Sequence, residues 1–404
     1  MQRSNWTPSL RHSQGGRVAG NNHGEALEGQ TPGPAPDGRV SVVERTDFSE
    51  TGRQKSERTQ SLDGFDPEYT DIVDYIARCT HRIWEEKNVG LIYSHYTHNC
   101  VVYLPNETLY DREDVVESTL QRIVTMPDRG MATQIVWQGD DQAGFYTSHL
   151  LTSAGVHTEP GPYGPPTGRD FSYRTVADCM IYRNRIFREW LVSDTMAVIR
   201  QLELDPDEIA AASAKALKAK GRGLSDYGAL KRLRGQYPPD EEADLTLARM
   251  PHEARVLQGL HDAFNRRMFG AMRDLYAPNV QFHGPLMVEA TGVEAVIHQW
   301  MGLFGVMPNA SFAPQHVCSV ESDEGGWKVA IRWVIEGRHS GYGLLTSLGA
   351  PDQAPMRLMG MTHVHVRDDR IVEEWTVYDE MSLLTQKHLH QMGQTAENEA
   401  EADD

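Results

Sequence analysis

Basic residues are scarce in this chain. Its 404 residues hold 39 Lys and Arg against 57 Asp and Glu, a formal net charge of -18. Phosphate backbones are recognised by clustered cations, so nucleic acid is not an expected partner. No apolar run approaches the ~20 residues that span a bilayer. The N-terminus shows no charged stretch followed by an apolar one, so neither a membrane nor a secretory route is expected, and the expected location is cytoplasmic. Cysteine is rare as well: Cys79, Cys100, Cys179 and Cys318 lack metal-ligand spacing, and reduced, buried thiols are expected. There is no phosphate-binding loop, no dinucleotide fingerprint and no nucleophile elbow. No nucleotide, flavin, nicotinamide or other cofactor is expected.

What the chain does contain is a repeat. Arg185-Ile186-Phe187-Arg188-Glu189-Trp190-Leu191-Val192-Ser193-Asp194 returns as Arg370-Ile371-Val372-Glu373-Glu374-Trp375-Thr376-Val377-Tyr378-Asp379. Gln201 and Gln386 follow each Asp after seven residues. Upstream, His81 answers to His261, Trp84 to Phe264, Asn99 to Asn279 and Pro105 to Pro285, an offset of about 180 residues. A repeat of that length is a whole domain, so two copies of one α+β unit are fused.

Composition and periodicity divide the chain. Residues 1–60 are rich in Gly, Ser, Arg, Gln and Pro, and too poor in large apolar residues to offset the entropy of ordering; a disordered tail is expected. Residues 61–205 form the first domain, with helical spacing of Ile72, Ile76, Cys79 and Ile83 followed by a helix over 111–124 and four strands. Residues 206–248 form a partly helical linker, Ala-rich at first and closed by Pro238-Pro239. Residues 249–392 repeat the domain, and 393–404 read as an acidic, disordered tail. Helices first, then a long antiparallel meander, predict an α+β fold of two tandem cone-shaped barrels. Each is a curved antiparallel sheet wrapped around its N-terminal helices, with an apolar interior suited to a small molecule.

The loop and last strand of the first domain resemble the SnoaL-like polyketide cyclases of the nuclear transport factor 2 and ketosteroid isomerase superfamily. The residues that carry the resemblance are His157-Thr158, Gly164-Pro165-Pro166-Thr167-Gly168-Arg169, Arg185-Ile186, Glu189-Trp190, Asp194 and Gln201-Leu202. The second domain keeps His339-Ser340-Gly341, Glu374-Trp375, Asp379 and Gln386 but has Ala350-Pro351-Asp352-Gln353-Ala354-Pro355 in place of the Pro-Pro-Thr-Gly loop. The resemblance implies a cone that hosts cyclases, isomerases, dehydratases, epoxide hydrolases and inactive binding proteins, so fold alone does not fix function. It also implies an Asp at the end of the last strand as general acid/base, helped by a His fourteen residues upstream. That carries over to Asp379 with His365; from Asp194 the same step reaches Met180, and Asp178 is the substitute. Domains of this kind often pair through their sheets, which fusion makes intramolecular, with homodimerisation as a further option.

Alternation puts Trp375, Val377 and Asp379 on one strand face, and Trp190, Val192 and Asp194 on the corresponding one. Beside apolar neighbours an Asp loses solvation and becomes a better proton acceptor; the competing reading is that each Asp caps the helix after it. His363 and His365 share a face, where they can polarise a carbonyl, orient the Asp, hydrogen-bond structurally or ligate a metal with Asp379 or His283. Trp375, His283, Trp190 and Tyr103 are the candidate substrate-contacting residues, or packing anchors. Glu189 and Glu374 fall on the opposite face and are expected at the sheet packing or in solvent. The expected activity is cofactor-independent proton transfer (isomerisation, elimination or aldol closure) on a small, largely apolar oxygenated substrate. The alternatives are a non-catalytic binding protein for a ligand or a partner's helix, and an epoxide-type hydrolase.

Overall fold

A computed structural model describes residues 57–402 apart from residues 127, 222–224, 226, 230–234 and 236. The expected tail lies outside the described residues as far as residue 56. Thr59 and Gln60 are tied down, both donating backbone N–H bonds to the Thr70 carbonyl at 2.9 and 3.2 Å.

The first unit runs α1 (Ile72–Trp84), α2 (Ile92–His95), β1 (Tyr96–Tyr103), β2 (Thr108–Tyr110), α3 (Arg112–Thr125), β3 (Asp128–Asp140), β4 (Gly144–Val156), β5 (Asp170–Tyr182), β6 (Arg185–Ser193) and α4 (Thr195–Gln201). Then comes the linker helix α5 (Pro206–Ala219). The second unit runs α6 (Pro251–Phe264), α7 (Met272–Leu275), β7 (Tyr276–Gly284), β8 (Val288–Thr291), α8 (Val293–Val306), β9 (Ser311–Glu321), β10 (Trp327–Arg338), β11 (Pro355–Arg367), β12 (Arg370–Tyr378) and α9 (Glu380–Ala402). The segment expected to be a disordered tail instead continues that last helix from residue 393 to Ala402; residues 403–404 lie outside the described residues.

Both sheets have the same order, β2-β1-β6-β5-β4-β3 and β8-β7-β12-β11-β10-β9. The meanders are antiparallel as expected, with one exception per sheet: β1 pairs with β6, and β7 with β12, in parallel. The helix after the first hairpin carries the chain to the far edge, and the meander then returns beside the first strand. Asp71 starts α1 by accepting the Asp74 N–H at 2.7 Å, and the buried stripe Ile72, Ile76, Cys79 and Ile83 turns it into its own cone.

Each sheet has helices on its concave face and the other sheet at its back. The core of the first unit is therefore continuous with Cys318, Val320, Ala330, Val334, Met359, Met361 and Val377 of the second. In return Met196, Ile199 and Ala210 of α4 and α5 join the core of the second unit. The seam also holds buried polar groups. His363 uses Nδ1 on Gln134 Oε1 at 2.7 Å and Nε2 on Ser148 Oγ at 2.8 Å. Arg332 lies 3.8 Å from Asp178 and 3.3 Å over the Trp190 ring. The four cysteines are buried and free. Among the described residues no helix is long and apolar enough to cross a membrane.

Candidate functional site

The first cone is hollow. A cavity of about 710 Å³ opens between α1, α3 and the concave face of the sheet, within the size range of small-molecule sites. Its wall is largely apolar, with Ile76, Ile83, Ile92, Val102 and Leu151 among its residues, and Trp84, His81, Glu86 and Arg122 also line it. Strand alternation aims Glu189, Leu191 and Ser193 of β6 and His149, Leu151 and Ser153 of β4 into this space.

Glu189 is the buried carboxylate of the chamber. Among the described residues it receives one hydrogen bond, from the Tyr96 hydroxyl at 2.9 Å to Oε2. Burial pushes its pKa up to about 7, against the opposing pull of that bond. It is therefore divided between acid and base near neutral pH, as a general acid/base should be. His149, 2% exposed, stands on the neighbouring part of the same wall. Burial lowers its pKa to about 3, so the ring is neutral, and its Nε2 is enclosed without a hydrogen-bond partner among the described residues. Thr175 and Ser193 satisfy each other at 2.8 Å.

The second cone shares the scaffold and is filled. Strand register and helix position make Trp300 the counterpart of Thr119, Trp333 of Leu151, Gly360 of Thr175 and Tyr378 of Ser193. Trp300 and Trp333 meet edge to face with centroids 5.5 Å apart, and Tyr378 lies 6.3 Å from Trp333. Gly360 makes the room: a Cβ there would sit 2.2 Å from the Trp333 ring. The Tyr–Glu pair is repeated as Tyr276 to Glu374 at 2.5 Å. Glu374, however, also accepts from Trp300 Nε1 at 3.2 Å and Thr376 Oγ1 at 2.6 Å, and is 0% exposed. Burial raises its pKa too, but it has donors on every side.

The nine residues singled out from sequence lie elsewhere; none lines the chamber. Alternation grouped them correctly, but their shared face is the back of the sheets, and the Glu189 and Glu374 face is the interior. Asp379 caps α9 by accepting the Met381 N–H at 3.1 Å. Asp194 caps α4 through the Ala197 N–H at 3.2 Å and also accepts the Leu286 N–H from the second unit. The two carboxyls are close enough for the charge of Asp194 to act on Asp379. Burial raises Asp194 to about 7 and, with the charge of Asp194, Asp379 to about 8.

His365 does not meet Asp379. It pairs across the hairpin with Glu373, six residues back, hence ~20 Å along the strand. Its Nε2 bonds the Gly325 carbonyl at 2.7 Å. His363 is held in the seam, and burial lowers its pKa to about 3. Asp178 accepts from the Tyr146 hydroxyl and faces Arg332; burial raises its pKa. Trp375 stacks on His283 at 3.5 Å, and His283 bonds Glu289 and lies 3.3 Å from Glu373. Trp190 donates to the Tyr227 carbonyl at 2.7 Å and stacks on Tyr103 at 5.5 Å. These are packing and interface roles. No group of three metal-ligating side chains occurs among the described residues, and His363, His365 and Asp379 do not converge.

Residues 254–387 match the model of a family described as SnoaL-like polyketide cyclase. The match falls on the second unit. The first unit repeats the strand order of the second, so the chain is a tandem of two units of one fold. Solved structures similar to part of the chain include IdmH, a putative polyketide cyclase from Streptomyces antibioticus, 25% identical over 34% of this chain and 98% of its own, with a TM-score of 0.29. A putative SnoaL-like polyketide cyclase from Jannaschia sp. CCS1 is 18% identical over 35% and 96%, with a TM-score of 0.30. AclR, a putative hydroxylase from Streptomyces galilaeus, is 15% identical over 32% and 92%, with a TM-score of 0.28. No curated protein matches the chain.

Proposed function

We propose that the chamber of the first unit carries out cofactor-independent proton transfer on a small, largely apolar oxygenated molecule, with Glu189 as the acid/base and the second unit as its support. One observation carries the reading: a buried carboxyl with a pKa raised to about 7 and a single protein donor, facing a cavity of about 710 Å³. An ionised Glu189 removes a proton from a carbon next to a carbonyl, and the carboxylic acid so formed returns it at another position. Tyr96 fixes the carboxyl by donating to Oε2, leaving Oε1 to the substrate. Apolar walls keep water away from the carbanion, and loss of solvation makes the carboxylate more basic.

The test is deuterium exchange next to the carbonyl of 2-tetralone in D₂O, followed by NMR. The intact protein should accelerate exchange, with a rate that rises with pH through a midpoint near 7. Glu189→Gln should lower the rate by roughly 10²–10⁴-fold, while Asp379→Asn leaves it within a factor of two or so. Exchange that survives Glu189→Gln and disappears in Asp379→Asn would transfer the chemistry to the seam. Tight binding of the ketone with no exchange would make the chamber a binding site only.

A further inference from the structure

One ring nitrogen of His149 is unsatisfied. The residue is 2% exposed, it stands in the chamber wall, and Nε2 has no hydrogen-bond partner among the described residues. A buried polar group left unpaired is destabilising, so native proteins rarely keep one without a use. Other polar groups of the chamber are paired with each other: Thr175 with Ser193, and Tyr96 with Glu189. Arg122 donates to the Tyr173 hydroxyl and lies 5.3 Å over its ring.

The second unit supplies the control. Register places Ile331 opposite Thr362 as His149 is opposite Ala177, so Ile331 is the counterpart of His149 in the filled cone. It is buried in the core beside Trp333. The fold therefore accepts an aliphatic residue here and does not require an imidazole. A histidine is present where the cone is hollow and absent where it is filled.

We infer that His149 is a specificity-determining residue of the chamber, hydrogen-bonding an oxygen on an otherwise apolar, uncharged ligand at the end away from Glu189. This rests on the reading of the chamber as the functional site. A neutral imidazole bonds a hydroxyl or a carbonyl equally well but offers no charge to a carboxylate. Across the sheet, His149 is level with Leu191, two strands over and two residues along from Glu189. The strand spacings put their Cα atoms roughly 12 Å apart. A ligand that meets both is about the length of two or three fused rings.

Three probes test this by fluorescence titration of the intact chain: naphthalene, 2-naphthol and 2-naphthoate. The unmodified protein should bind 2-naphthol about tenfold more tightly than naphthalene, and 2-naphthoate more weakly than 2-naphthol. His149→Ile, which copies the second unit, should bring 2-naphthol down to the affinity of naphthalene and leave naphthalene unchanged. His149→Gln, which keeps a hydrogen-bonding group, should recover part of the preference. The empty His149→Ile protein should melt at the same temperature as the parent or higher, because an unpaired polar group is gone; a structural histidine would give a lower temperature.

A preference that persists in His149→Ile overturns the assignment, and so does a preference that depends on Glu189→Gln instead. Binding of 2-naphthoate as tight as that of 2-naphthol overturns the uncharged ligand class. If none of the three probes binds the unmodified protein, the chamber reading itself fails and this inference with it.

Discussion

The two cones differ where their interiors meet the sheet, and in little else that shapes them. Both have the same strand order and the same Tyr–Glu pair, Tyr96 with Glu189 and Tyr276 with Glu374. In the first, Thr119, Leu151, Thr175 and Ser193 leave a hollow; in the second, Trp300, Trp333, Gly360 and Tyr378 close it. The exchange is coordinated, since Gly360 is small because Trp333 is large. A buried carboxyl with three donors and aromatic walls is a structural group. The same carboxyl with one donor and open space beside it is the group to which we assign proton transfer. On that proposal, chemistry is decided by the neighbours of Glu189 and Glu374 rather than by the residue they share.

Breaking this contrast from the filled side should give the largest effect. Trp333 is fully buried and its indole N–H donates to Thr362 at 3.0 Å. Trp333→Ala should cost about 3–5 kcal/mol in chemical denaturation, whereas Leu151→Ala at the matching position borders space already open and should cost about 1 kcal/mol or less by the same reasoning. Equal losses would mean that the first cone is packed as tightly as the second. Copying the filled interior into the hollow one is the converse. Leu151→Trp with Thr175→Gly should weaken 2-naphthol binding by about a hundredfold or more, roughly 2.7 kcal/mol, with the melting temperature held. Undiminished affinity would place the probe outside the chamber.

The smallest effect concerns the seam. Asp194 and Asp379 have folded pKa values of about 7 and about 8, above the ~4 of an unfolded Asp. Thr195 and the backbone N–H groups of Ala197, Leu286 and Met381 hydrogen-bond them, and the charges of Glu380 and Arg174 act on them from nearby. Between pH 4 and 8 the folded chain holds protons that the unfolded chain has released. The stability due to these groups is thus complete below pH 4 and is lost as pH rises through 7 to 8. Glu189 acts in the same sense up to about pH 7. His149 and His363, lowered to about 3, act in the opposite sense but below ~6.5. Asp379→Asn keeps a capping oxygen, so it should flatten the decline between pH 4 and 8 and stabilise the protein at pH 8.5 by about 1 kcal/mol. An unchanged slope would show that the carboxyls are ionised in the fold.

The repeat, the two-unit architecture and most strand positions were legible because the 180-residue self-similarity and the strand periodicity are local properties of the chain. The grouping of Trp190, Val192 and Asp194 on one face was legible for the same reason. Which face is the interior was not. The sheets pack back to back, so both faces are covered; β11 is buried at eleven consecutive positions, Met356 to Val366. Alternation between apolar and polar residues, the usual sign of the inner face, then disappears. The strand-end Asp residues look catalytic in one dimension because each follows a Trp, yet each is a helix cap at the joint between units. The spacing of fourteen between His365 and Asp379 counts residues around a hairpin, and antiparallel pairing places them at different heights.

A signal for the chamber was present in the repeat itself. Setting Thr119 against Trp300, Leu151 against Trp333 and His149 against Ile331 shows one copy losing bulk and gaining polarity at inward positions. Reading it requires the strand register, because the offset between the copies drifts from 180 at β1 to 185 at β6.

The most direct measurement is a crystal structure of the intact chain soaked with 2-naphthol. Density for the ring system between α1, α3 and β4 to β6, with its hydroxyl in reach of His149 and its far edge near Glu189, is the expected result. Density at the seam beside Asp194 and Asp379, or in the second cone after displacement of Trp333, would contradict the account.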